Sequence, residues 1–79
     1  MSGRALMWEV RAAPGAQPEL LAWVREHAVP RCGAVELYRS AEDRVVLIAH
    51  HDADPPRLPT PPPHLVARPP HQWTFDRVS

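Results

Sequence analysis

Arg44-Val45-Val46-Leu47-Ile48-Ala49-His50 is apolar at five successive positions, so an extended chain here turns a greasy side chain to each face of a sheet. A strand of that kind belongs in the interior of its sheet with both faces covered. Upstream, Ala41-Glu42-Asp43 is a short polar turn. Before it, Gly33 and Ala34 open a segment running to about Ser40, in which Val35 and Leu37 alternate with Glu36 and Tyr38. The two segments predict an antiparallel hairpin.

Farther upstream, Arg4 to Arg11 alternates strictly, with Leu6, Trp8 and Val10 on one face and Met7, Glu9 and Arg11 on the other, the period of a strand. Pro14-Gly15 breaks it. From Pro18 to Ala28 the apolar residues Leu20, Leu21, Trp23, Val24 and Ala28 fall with His27 in one sector of a helical wheel. Pro18 suits the first turn and Pro30 stops the helix. No Ser, Thr, Asp or Asn stands at its start, which leaves Gly15 as the best available N-cap.

Downstream, residues 54–70 hold most of the eleven prolines, and the fixed φ and missing donors exclude a helix or a central strand there. The segment reads as an ordered, polyproline-II-like connection. It reads as a stiff strap lying over the helix side of the sheet, with Leu58, Leu65 and Val66 as anchors. Residues 71–79 alternate again, Trp73, Phe75 and Arg77 against Gln72, Thr74 and Asp76, and predict a final strand.

Strand, helix, hairpin, connection and strand give an α+β class: a ferredoxin-like split β-α-β domain over residues 1–79, its second helix missing and its antiparallel sheet ordered 4-1-3-2. A single short helix covers one sheet face at most. The other face of a sheet of Val, Leu, Ile and Trp exceeds what monomers usually expose, so the expected partner is a second copy, packed sheet to sheet.

With 79 residues, the chain buries only a thin core and needs help from a disulfide, a metal or a partner. One cysteine, Cys32, excludes an internal disulfide and points to a reducing compartment. Nine basic residues, all arginine, balance nine acidic ones without any like-charge run, which argues against nucleic acid and anionic membrane as partners. The absence of lysine and asparagine suggests a GC-rich, bacterial source. No secretory leader pattern and no apolar run of membrane-spanning length is visible, so the expected location is cytoplasmic.

The stretches Ala5 to Arg11, Pro18 to Val24, Glu36 to Arg39 and Arg44 to Ile48 together resemble the antibiotic biosynthesis monooxygenase-like proteins of the dimeric α+β barrel group. The resemblance covers roughly residues 4–50 and the last strand, as a pattern of strand and helix character. It implies a homodimer without cofactor that binds a small, aromatic molecule, either as a noncatalytic member or as a cofactor-independent oxygenase on a polyketide-type substrate. The family's enzymes use polar residues on the first strand and the second helix. This chain has no Asn and lacks that helix, so none of those residues carries over.

Candidate ligand residues are Trp8, Trp23, Tyr38 and Trp73, which can wall an aromatic pocket, with Arg11 or Arg39 orienting an anionic or phenolic group. Aromatics at such positions are more often core. One rim of the fold is expected to gather His27, Cys32, His50 and His51, a set able to bind zinc. Structural readings outweigh that one, since a histidine in a last helical turn suits the helix dipole and a lone cysteine is commonly a small apolar residue. No metal is therefore favoured, and a metal-binding or polyproline-type interaction module remains the third alternative.

Overall fold

The computed structural model describes residues 3–41, 43–51 and 57–78. Glu42 of the hairpin turn, residues 52–56 at the start of the proline-rich connection, and Ser79 of the expected final strand lie outside the described residues. Strands β1 (Arg4–Arg11), β2 (Ala34–Arg39), β3 (Arg44–His51) and β4 (His71–Asp76) form one antiparallel sheet ordered β2-β3-β1-β4. That is the ferredoxin-like order, with one helix, α1 (Gln17–His27), and short 3₁₀ turns at Val29–Arg31 and Pro63–Leu65.

Alternation decides what each strand buries. Leu6, Trp8 and Val10 of β1 stand opposite Ala49, Leu47 and Val45 of β3, and all six are buried under α1. From the helix come Leu20, Leu21, Val24 and Ala28. Trp23 and His27 lie at the margin of that stripe, where their rings stack 5.1 Å apart.

The helix start differs from the expectation for Gly15. Ala16 occupies the N-cap without any side-chain hydrogen bond, and Gly15 sits one residue earlier at φ 76°. Pro14-Gly15 instead fills the centre of a turn closed by Ala16 N–H donating to the Ala13 carbonyl at 2.9 Å. A positive φ at the third position of such a turn is what glycine supplies at no steric cost.

The strap takes the place of the missing second helix. Leu58 (8% exposed), Leu65 (3%) and Pro61 are buried, and Val66 is half-buried. Its far end is stitched to the exit of β1: Ala13 N–H donates to the Leu65 carbonyl at 2.9 Å and Ala67 N–H to the Arg11 carbonyl at 2.8 Å. A proline-rich segment has few donors of its own, so it is held by side-chain burial and by these bonds at its proline-free stretch His64 to Arg68.

The second face of the sheet has no cover among the described residues. Val46 and Ile48 of the apolar strand point there and are only half-buried. The double-sided character of β3 thus reflects its central place, with one face filled from within the protomer and the other left open.

Candidate functional site on the open sheet face

Register places the open face residue by residue. One row crossing all four strands is Glu36, Ile48, Met7 and Trp73; the next is Tyr38, Val46, Glu9 and His71; the third is Ala34, His50, Ala5 and Phe75. The middle of the face is therefore apolar. Tyr38 (53% exposed), Trp73 (42%) and Phe75 (51%) are large hydrophobic side chains standing in solvent.

Charge collects at the border. Arg44 Nε lies 3.0 Å from Glu9 Oε2, Arg11 Nε 3.4 Å from Asp43 Oδ1 and His50 Nε2 3.5 Å from Glu36 Oε1, while the Arg4 Nε–Asp76 Oδ1 pair at 3.4 Å belongs to the helix-side parity of β1 and β4. The Arg11 Nε is buried yet makes no hydrogen bond, so its contact with Asp43 is Coulombic and poorly aligned. Arg11 and Arg44 face each other across β1 and β3, and with Ser40, Ala41 and Asp43 they line a partly open cleft of about 340 Å³. Ser40 fixes this corner by accepting the Arg44 N–H on its Oγ at 3.0 Å, while its carbonyl accepts from Gln17 Nε2 at 3.1 Å.

The six candidate ligand residues divide between the two faces. Arg11, Tyr38 and Trp73 share the open one. Trp8 is 2% exposed beneath the helix, Trp23 flanks the helix, and Arg39 is exposed at the end of β2 opposite Val45, on the helix side. Trp8 fills the space between helix and sheet rather than lining one. Met7, Val46 and Ile48 complete the open face. Their signal was the opposite parity to the buried set Leu6, Trp8 and Val10.

His27, Cys32, His50 and His51 do not gather: alternation along β3 sends His50 and His51 to opposite faces. His50 is on the open face and His51 on the helix side, where its Nε2 is buried without a hydrogen-bond partner, while His27 packs on Trp23. Among the described residues no three His, Cys, Asp or Glu side chains stand close enough to hold a metal ion.

Cys32 is half-buried, its thiol 3.6 Å from the Ala28 carbonyl, and burial raises its pKa above the usual thiol value. The folded chain thus holds this proton more tightly than the unfolded one. Stability on this account is intact at neutral pH and falls as pH climbs past the unfolded thiol's value, where the unfolded chain alone deprotonates. Alkylation by iodoacetamide is expected to be slower for the native than for the urea-unfolded chain at the same mildly alkaline pH. Equal rates would refute the shift.

No family model, curated protein or solved structure matches this chain. Its fold defines it as a one-helix α+β protein of ferredoxin-like topology. No helix among the described residues is long and apolar enough to cross a membrane.

Proposed function

We propose that the protein is a homodimeric, noncatalytic binding module of the monooxygenase-like kind, in which the open faces of two sheets pack against each other and the assembly holds a small aromatic molecule. The observation that carries this reading is the arrangement of the open face, an apolar centre of Met7, Val46, Ile48 and Trp73 inside a border of paired charges. Protein interfaces have that anatomy.

Size sets how much of the face a second copy must use. Four strands about 4.8 Å apart and six residues long at about 3.3 Å each span roughly 400 Å² in projection. A standard interface takes about 800 Å² of accessible surface from each partner. Even with side chains standing proud, nearly the whole face is required, including Trp73 and Phe75 on the edge strand. The aromatic ligand is then held at the rim of that interface, in the cleft lined by Arg11, Ser40, Asp43 and Arg44.

Sedimentation at micromolar concentration is expected to give twice the chain mass of 8.9 kDa. A phenolic aromatic compound added to that species is expected to change its tryptophan fluorescence. A well-folded species of single-chain mass refutes the assembly, and a dimer whose fluorescence ignores such compounds refutes the binding role.

A further inference from the structure

A second concave site lies on the other side of the molecule, away from the open face. Arg31, Arg57, Leu58, Pro59 and Thr60 line a cleft of about 490 Å³ between the 3₁₀ turn after α1 and the beginning of the strap. It is shallower and more open to solvent than the cleft between Arg11 and Arg44.

Two features set this cleft apart. Arg4, Arg11 and Arg44 each have an acidic partner, whereas among the described residues Arg25, Arg31, Arg39, Arg57 and Arg68 form no ion pair, and of these Arg31 and Arg57 line one cleft. Among the described residues, no carboxylate lies within ion-pair distance of Arg31 or Arg57, and the two positive charges share one concavity. The wall is also preset. Leu58 is buried in the core, and Pro59 next to it has a fixed φ, so Arg57 and Thr60 leave the backbone at defined points. Arg31 alone is accounted for by its place just past the carboxyl end of α1, where a cation offsets the partial negative charge. Arg57 is on the strap, and that account does not extend to it.

We propose that this cleft binds a phosphoryl group, with the guanidinium groups of Arg31 and Arg57 on its oxygens and the Thr60 hydroxyl as a neutral donor. The planar donor forks of arginine match phosphate oxygens two at a time, and charge-assisted bonds of this kind are about twice as strong as neutral ones. Leu58 and Pro59 offer an apolar shelf for an attached organic group. The occupant is either the free ion or a small phosphate monoester.

Calorimetric titration with inorganic phosphate and with phenyl phosphate, at constant ionic strength and mildly alkaline pH, tests the site. The expected result is saturable binding of one anion per chain. Tighter binding of phenyl phosphate identifies an ester as the occupant, and equal binding identifies the free ion. The double variant Arg31→Gln, Arg57→Gln alters only exposed side chains, so it is expected to stay folded, with at most a small drop in melting temperature from the lost charge after α1, and to bind at least about tenfold more weakly. No saturation up to about 10 mM of either anion, or an unchanged affinity in the double variant, overturns the proposal.

Discussion

Replacing Leu58 and Leu65 together by alanine is expected to cost about 4 kcal/mol or more, since each buried Leu→Ala change removes about 2–5 kcal/mol. The lower end applies because the strap lies at the border of the core, where neighbours can relax into the space. A chain of 79 residues has a total stability of roughly 4–12 kcal/mol. The double variant is therefore expected to be largely unfolded, or to lose about 2–4 M from its urea midpoint at a slope of about 1–2 kcal/mol per M. Circular dichroism during urea titration reads this directly. A midpoint equal to that of the parent would mean that the proline-rich segment contributes nothing to the fold and is free to serve as a ligand for another protein.

On the open face, Ile48 lies in the central row beside Met7 and Glu36, so Ile48→Glu places a charge where the proposed interface is driest, and twofold symmetry places it there twice. An unpaired carboxylate buried between subunits costs several kcal/mol. The dissociation constant is expected to rise at least about 10²-fold. Two readouts report it: sedimentation shifts toward the single-chain mass of 8.9 kDa, and the melting temperature, which rises with concentration for the parent, falls at every concentration and depends less on it. Tyr38→Lys, at the border of the same face, is expected to change both much less. An Ile48→Glu variant that stays dimeric would show that the copies meet elsewhere.

These two experiments probe opposite faces, and the sequence spoke unequally about them. The helix-side face was legible because burial writes itself as period. Leu6, Trp8 and Val10 recur every second residue and Leu20, Leu21, Val24 and Ala28 follow the turns of a helix, and all of them are in the core. The sheet order followed from the split β-α-β plan, with which the apolar run of β3 agreed, and β3 is interior although one of its faces is left open. The anchors of the strap were visible as the isolated leucines of a proline-rich run.

Candidate site residues were less legible, for a geometric reason. Tryptophan, tyrosine and arginine were grouped by chemical type, whereas strand parity separates neighbours by the thickness of the sheet. Trp8 and Trp73 belong to adjacent strands, yet the register pairs Trp73 with Met7 and Trp8 with Gln72, so the two rings stand on opposite faces. His50 and His51 are divided in the same way. Gly15 misled for a different reason: a helix start can be satisfied by a preceding turn, and glycine's freedom of φ was needed there.

The order and kind of elements, the interior place of β3 and the buried side of β1 could all be read along the chain, because hydrophobic periodicity is a local record of which side chains must leave water. Folding in three dimensions had to settle how β4 aligns with β1, which aromatics share the open face, and that Arg31 and Arg57 border one cleft. Those are relations between segments distant in the chain, fixed by hydrogen-bond register and by the path of the strap, and no local pattern records them.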